Sequence, residues 1–259
     1  MIHIETLLAA ALLAAAWLRA WARRGERPPL GRAAAFFAGL LALLVALNGP
    51  VHDLAEEARF SAHMVQHLLL TIVVPPCLLA GTPAFMMDAL LGGVLRRPWM
   101  EALARRATHP VAALGLYGAT LVAVHLPGPF NAALESHGWH IAEHVALMAT
   151  ATLAWWPVLA PSRRLPPLHY AAQLLYLFAF GMPMTVVAAV ITGAEHVLYP
   201  FYAAAASAAG LDALADQRLG GIIMWVPAGV VPLAAFTLVF FRWVAAEAAD
   251  FSEGRDYTK

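Results

Sequence analysis

Residues 61–80 read SAHMVQHLLLTIVVPPCLLA, twenty residues without Asp, Glu, Lys or Arg. A membrane-spanning helix needs roughly 20 mostly apolar residues, so this stretch predicts a transmembrane helix. Its Pro75-Pro76 pair predicts a kink or break, because proline removes backbone N–H donors from a helix. Its two histidines, His63 and His67, are polar groups inside an apolar segment. Such groups are costly in a membrane and usually functional, so the same stretch also indicates a candidate site.

The composition of the whole chain agrees with a membrane protein. Of its 259 residues, 61% are hydrophobic and 12% are charged, whereas soluble domains carry about 25% charged residues. The mean hydropathy is +0.69. We therefore predict an all-α, polytopic membrane protein that forms a single transmembrane domain over residues 1–259. About seven spans are expected, at residues 2–21, 33–47, 61–80, 110–126, 139–159, 170–191 and 221–244.

The basic residues divide unequally between the two sides of these spans. One side carries only Arg59 and Arg218. The other carries the remaining basic residues: Arg19, Arg23, Arg24, Arg27, Arg32, Arg96, Arg97, Arg105, Arg106, Arg163, Arg164, Arg242, Arg255 and Lys259. The positive-inside rule then places the N-terminus outside and the C-terminus in the cytoplasm. The first span has its arginines after it rather than before it, which is typical of an uncleaved helix and not of a signal peptide.

The histidines are distributed with the opposite bias. In the predicted topology only His109 and His169 fall at the cytoplasmic face. The other nine fall at or near the outer face: His3, His52, His63, His67, His125, His137, His140, His144 and His196. The topology came from the basic residues alone, so this clustering is an independent observation. It indicates a site on the outer side of the membrane.

Two His-x3-His pairs stand at the start of the third and fifth predicted spans, at His63/His67 and His140/His144. Residues at i and i+4 share a helix face, with Cβ atoms about 5–6 Å apart, so each pair can ligate one metal ion. His125 ends the fourth span at the same depth. We predict a metal site, with one or two ions, built from His63, His67, His125, His140 and His144. Secondary candidates are His52, Glu143, Asp216, Gln217 and Met224.

The types of donor atom narrow the choice of metal but do not identify it. Imidazole suits copper, zinc, iron and nickel, and thioether sulfur favours copper(I). The single cysteine, Cys77, lies away from the histidines and is expected to serve packing. These donors therefore favour copper or zinc, with haem iron as a further choice. Haem fits less well, because axial ligation needs one histidine from each facing helix rather than a pair on one helix.

Three other readings fit the residues less well. His140-Ile-Ala-Glu-His144 matches the H-x-x-E-H pattern of a zinc protease group, but no other protease motif accompanies it. Di-iron membrane hydroxylases use further histidine boxes that are absent here, and their sites face the cytoplasm. A retinal protein needs a lysine for its Schiff base, and the only lysine is Lys259 in the tail.

The motifs resemble those of the CtaG-type cytochrome c oxidase assembly factors, the seven-helix kind. The resemblance runs from about Asn48 to Trp243, and Cys77, where an aliphatic residue is expected, departs from it. The motifs that carry it are Phe60-Ser-Ala-His63-Met-Val-Gln-His67-Leu-Leu-Leu, Pro75-Pro76, Gly81-Thr82-Pro83, His125-Leu-Pro127, His140-Ile-Ala-Glu-His144, Trp155-Trp156-Pro157, Asp216-Gln217 and Gly220-Gly221-Ile-Ile-Met224-Trp225. The resemblance implies a bacterial plasma-membrane protein needed to mature a haem-copper oxidase, through the handling of copper.

Taken together, these observations predict a non-enzymatic assembly factor or metallochaperone in the lipid bilayer. It would take copper from the outer side and pass it to a haem-copper oxidase subunit, with Asp216, Gln217 and Met224 steadying or gating the exit. We expect no nucleic-acid partner. Two alternatives stay open: a membrane-bound metal or haem oxidoreductase, and an assembly scaffold that needs no metal.

Overall fold

The structure is a computed structural model, which describes residues 3–57 and 59–256. Every regular element in these two ranges is a helix, which confirms the all-α prediction. The helices are α1 (Ile4–Arg24), α2 (Leu30–Leu47), α3 (Pro50–Glu57), α4 (Phe60–Leu68), α5 (Val74–Gly81), α6 (Ala84–Val94), α7 (Pro98–Ala107), α8 (Pro110–His125), α9 (Pro127–Glu135), α10 (His137–Leu159), α11 (Tyr170–Phe180), α12 (Met182–Gly193), α13 (Pro200–Ala208) and α14 (Ala213–Asp256). The predicted first residue of the first span, Ile2, and Lys259 of the tail lie outside the described residues.

Five helices in the described ranges are long and apolar enough to cross a membrane: Ile4–Arg24, Leu30–Leu47, Phe60–Gly81, Tyr170–Gly193 and Ala213–Ala249. A sixth is added if α7 and α8, which are bent by 68°, form one broken span. The predicted count of seven is therefore not confirmed. The fifth predicted segment does form α10, a helix of 23 residues. It is not among the five because its histidines and Glu143 make it less apolar.

The third predicted span is continuous but irregular. A π-helical turn, Leu69–Val73, joins α4 to α5. The cause lies in the sequence: Pro75 has no N–H to donate to the Thr71 carbonyl four residues earlier. That carbonyl instead accepts a hydrogen bond from the Trp155 indole of α10, at 3.0 Å. The irregular turn thus ties the histidine-bearing span to α10 just below the level of His67.

The predicted boundaries differ from the observed ones mainly at the last span. Residues 221–244 were predicted, but α14 covers Ala213–Asp256. The sixth span, in which Pro183 is expected to produce a kink, is interrupted at Gly181, between α11 and α12.

A glycine allows α14 to pack closely against α4. A Cβ atom at Gly220 would lie 2.4 Å from the Phe60 ring and 3.1 Å from Met64. Phe60 in turn stacks on Tyr199, with ring centroids 4.8 Å apart. This close approach fixes the start of α4, the helix that carries His63 and His67.

Three short helices complete the region around the histidines. They are α3, which carries His52 and Glu56, α9, which carries Phe130, and α13, which carries Tyr202. Phe130 and Tyr202 are both buried and each contacts the His63 ring. The short helices therefore cover the ends of α4 and α10, and His63 and His67 are buried beneath them.

Candidate metal centre

The inward face of α10 carries the polar residues of the site. His140, Glu143, His144 and Leu147 are all buried and follow a helical spacing of three and four residues. Ile141, on a different face of the helix, is 49% exposed. One face of α10 therefore presents two imidazoles and a carboxylate to the interior of the protein.

The two predicted histidine pairs lie against each other. The His63 and His140 rings stack with centroids 5.4 Å apart, and the His67 and His144 centroids are 5.5 Å apart. Within each pair the Nε2 atoms face one another, at 2.8 Å for His63 and His67 and at 3.1 Å for His140 and His144. The sequence-based expectation that the pairs lie at one depth agrees with this packing.

Among the described residues, two sets of three buried side chains bring ligand atoms close enough to hold an ion. The first is His63, His140 and His144, and the second is His63, His67 and Glu143. In each set the ligand atoms lie within 4.8 Å of one another. The two sets share His63.

A hydrogen bond determines which nitrogen of His63 is free. The Tyr202 hydroxyl donates its proton to the Ala55 carbonyl, which can only accept. Burial raises the pKa of Tyr202 well above its usual value, so the hydroxyl keeps this proton. The His63 Nδ1 atom, 3.0 Å from the hydroxyl oxygen, must then be the donor. The lone pair of His63 is therefore on Nε2, which faces His67.

A second chain of hydrogen bonds orients His67 in the same way. His125 Nδ1 donates to the Leu121 carbonyl at 2.7 Å, so His125 Nε2 is an acceptor. His67 Nδ1 lies 3.4 Å from this acceptor and donates to it. The lone pair of His67 is then also on Nε2. His125, predicted as a ligand, thus contacts the site through His67 and belongs to neither three-residue set.

The result is an arrangement that favours a cation. Two nitrogen lone pairs, on His63 and His67, converge with no proton between them. The Glu143 carboxylate lies 3.6 Å from His67 Nε2, is 7% exposed, and has no hydrogen-bond partner for either oxygen among the described residues. Buried polar groups are nearly always satisfied, and each exception needs an explanation such as an ion. Imidazole and carboxylate are also the donors that such an ion takes.

The histidines nearer the surface behave differently. The Gln66 amide donates to the Ala46 carbonyl at 2.9 Å and to His52 Nδ1 at 3.0 Å. His52 Nε2 then donates to His3 Nε2 at 2.7 Å, and His3 Nδ1 donates to Glu5 at 3.0 Å. Burial lowers the pKa of His52, with Glu56 acting in the opposite direction, so the ring is neutral as this scheme requires. Every donor in this outer network has an acceptor, whereas the buried Gln66 Oε1 accepts no hydrogen bond from the described residues.

A cavity of about 330 Å³ leads from the outer network to the site. Its lining includes His140 and His144 but neither His63 nor His67. Its polar residues are His3, Glu5, Thr6, His52, Glu56, His137, His140 and His144. The cavity therefore gives access to the α10 histidines first.

Besides His52, three predicted secondary residues lie outside both ligand sets. The Asp216 carboxylate accepts hydrogen bonds from the Ser61 amide and hydroxyl at the start of α4. The Gln217 side chain accepts from the Leu198 amide at 2.7 Å and donates to the His196 carbonyl at 3.3 Å. Met224 is buried in the main hydrophobic core. Each of these contacts connects α14 to the elements that surround the site.

Two residues next to the histidines were not predicted. Tyr202, 139 residues from His63 in the chain, has no motif that marks it. Glu56 lies 3.3 Å from His52 Nε2 and 3.7 Å from His140 Nδ1. Its position four residues after His52 was a usable signal, because i and i+4 share a helix face.

Comparison with known proteins identifies the family. A family model described as cytochrome c oxidase caa3 assembly factor (Caa3_CtaG) matches residues 11–246. The chain belongs to this family. The resemblance inferred from the histidine and proline motifs is thereby confirmed.

Three curated relatives of this chain come from mycobacteria. Uncharacterized proteins of Mycobacterium bovis and Mycobacterium tuberculosis are each 30% identical over 232 residues, covering 82% of this chain and 34% of the relative. An uncharacterized protein of Mycobacterium leprae is 24% identical over 244 residues, covering 85% of this chain and 35% of the relative. The chain thus spans about a third of the length of these relatives. No solved structure matches it.

Proposed function

We propose that this assembly factor binds copper at the buried histidine cluster and passes it to a subunit of a haem-copper oxidase. The observation that carries the proposal is the convergence of His63 Nε2, His67 Nε2 and the unpartnered carboxylate of Glu143. A buried carboxylate without a hydrogen bond is costly in a membrane protein. A copper ion at this point would neutralise it and accept both imidazole lone pairs.

The choice of copper rests on the donor set and on the family. Three or more imidazoles without a thiolate suit copper and zinc, and the Met148 thioether lines the cavity beside His144. The family description names cytochrome c oxidase, an enzyme of the haem-copper class. Copper as the cargo connects these two facts, because the chain would then deliver a metal that the enzyme contains.

The proposed topology has seven spans, with the N-terminus outside and the C-terminus in the cytoplasm of a bacterial plasma membrane. In this arrangement α10 is a spanning helix, since its 23 residues would be about 35 Å long. Its exposed residues, such as Ile141 and Val145, are apolar and suited to lipid. The histidine cluster and its cavity then open to the outer side, where copper would be acquired.

The proposal is tested by oxidase maturation in a host strain that lacks the chromosomal copy of this chain. The strain is complemented with the wild-type chain, with His67→Ala/His144→Ala, or with His109→Ala/His169→Ala as a matched control outside the cluster. The oxidase is purified and its copper-to-haem ratio measured. We expect a full ratio with the wild type and the control, and a lowered ratio with the cluster variant at equal membrane abundance.

Other outcomes favour the alternatives. Full copper loading with the cluster variant would contradict the proposal and favour a scaffold that needs no metal. An intense Soret band in the purified chain would instead identify a haem protein and favour the oxidoreductase. We do not propose an enzymatic activity for this chain.

A further inference from the structure

We infer that the cluster offers one copper ion two alternative positions that share His63: an outer one with His140 and His144, and a deep one with His67 and Glu143. The ion would move between them by exchanging the other two ligands while His63 stays bound. This inference rests on the proposed function, since it describes how the same cluster holds its ion.

The sharing of His63 excludes two ions at once. The Tyr202 hydroxyl, committed to the Ala55 carbonyl, holds the His63 proton on Nδ1. His63 therefore has one lone pair, on Nε2, and His63 belongs to both three-residue sets. A neutral imidazole nitrogen with one lone pair binds one metal ion. The two positions thus compete for His63, and the cluster holds a single ion.

The two positions differ in access. His140 and His144 line the cavity of about 330 Å³ that contains the outer network. Glu143 instead lines a separate cavity of about 500 Å³, with Val124, Pro129, Trp139 and Ala142 among its residues. Of the ligands on α10, His140 and His144 border the first cavity and Glu143 borders the second. The ion would arrive through the first cavity and leave through the second.

The two positions also differ in charge. The outer set consists of three neutral imidazoles, whereas the deep set includes a carboxylate. Glu143 has no hydrogen bond to compensate its burial among the described residues. Electrostatic attraction is stronger where the surroundings exclude water, so the deep position should hold the ion more tightly. The ion would bind first at the neutral outer position and then move to the charged deep position, which holds it more tightly. This difference in affinity sets the direction of transfer.

The test uses the full-length chain in detergent, titrated with copper(I) under anaerobic conditions against a competing chelator. Three variants are compared with the wild type: His140→Ala/His144→Ala, His67→Ala/Glu143→Gln, and His63→Ala. Size-exclusion profiles and helical circular dichroism confirm that each variant is folded. His109→Ala/His169→Ala serves as the control.

We expect one ion per wild-type chain and one ion in each double variant, because each double variant keeps one complete position. His63→Ala should weaken binding by about tenfold or more beyond either double variant, although it removes one ligand rather than two. When excess chelator is added to the copper-loaded variants, the rate of copper loss should be higher for His67→Ala/Glu143→Gln than for His140→Ala/His144→Ala.

Three results would overturn the inference while leaving the proposed function intact. The first is two ions per wild-type chain. The second is loss of binding in both double variants, which indicates a single site that needs all the ligands. The third is the reverse order of copper removal. A wild-type chain that binds no copper would instead contradict the proposed function itself, and the inference with it.

Discussion

Glu143 is the residue whose environment distinguishes a metal site from a structural histidine cluster. Its carboxylate is buried beside His67, and neither oxygen has a hydrogen-bond partner among the described residues. Most of the histidines around it have hydrogen-bond partners within the protein, whereas the His63 and His67 lone pairs face one another. A carboxylate in the same place needs a proton or a cation. The local chemistry therefore points to a bound cation more firmly than the histidines alone do.

Replacing Glu143 by glutamine tests this point with almost no change in shape. We expect copper affinity to fall by about tenfold or more, since the deep position loses its negative charge. The melting temperature of the metal-free protein should stay the same or rise, because a neutral amide costs less to bury than a carboxylate. Chelator competition measures the first quantity and thermal unfolding in detergent the second. A Glu143→Gln variant with unchanged copper affinity would remove Glu143 from the site.

At this scale the sequence indicates which histidines pair on one helix, but it does not indicate the residues that orient them. His63/His67 and His140/His144 could be paired because an i, i+4 spacing depends only on the helix that carries both residues. Tyr202 and Ala55, which orient His63, come from other helices and carry no periodic signal. The role of Asp216 at the start of α4 likewise depends on a contact across 155 residues of sequence. Such tertiary contacts are not encoded in any local pattern.

At the scale of elements, the packing of α14 against α4 depends on Gly220. A Cβ atom there would lie 2.4 Å from the Phe60 ring, whereas a Cβ atom at Gly229 in the same helix meets nothing within 4 Å. Phe60 contacts Phe130 and Tyr199, which lie next to the histidines. The close approach of these two helices therefore supports the geometry of the site.

We predict that Gly220→Ala destabilises the protein by about 1–3 kcal/mol, the usual cost of overpacking a core. The matched control is Gly229→Ala, which should be neutral or slightly stabilising because alanine favours helix more than glycine does. Thermal unfolding of both variants in the same detergent gives the comparison. Equal melting temperatures for the two variants would contradict the close packing of α14 on α4.

Helices could be predicted where a long apolar segment alone determines their position. One example is α2, which ends at the predicted Leu47. The Pro75-Pro76 pair correctly indicated an irregular helix, and the irregularity is a π-helical turn just before the prolines rather than a kink or break at them. The short helices α3, α9 and α13 were not predicted, because none is long enough to span a membrane. Their role is to cover the histidines, which is a tertiary property.

At the scale of the whole molecule, the distribution of basic residues predicts the orientation in the membrane. The short loop after α1 includes Glu26, and α13 on the opposite predicted side includes Ser207; both residues are exposed. The intermediate exposure of Cys77 requires its replacement by alanine in both variants. Single cysteines at positions 26 and 207 then report on the two sides of the membrane.

We expect a membrane-impermeant thiol reagent added to intact cells to label Ser207→Cys and not Glu26→Cys. Both should be labelled after the membrane is opened, which controls for reactivity. The reverse pattern in intact cells would overturn the topology and place the histidine cavity on the cytoplasmic side. Labelling of both positions in intact cells would show that both lie outside. The number of spans between them would then be even, whereas the proposed topology has five.

The central claim, that the histidine cluster is a copper site, is tested most directly by metal content. The wild-type chain, purified in detergent from copper-supplemented cells, is compared by mass spectrometry with the variant in which His63, His67, His140 and His144 are all alanine. His109→Ala/His169→Ala is the control. We predict close to one copper per chain in the wild type and the control, and none in the quadruple variant. Copper that persists in the folded quadruple variant, or a folded wild-type chain that carries no copper, would contradict this account.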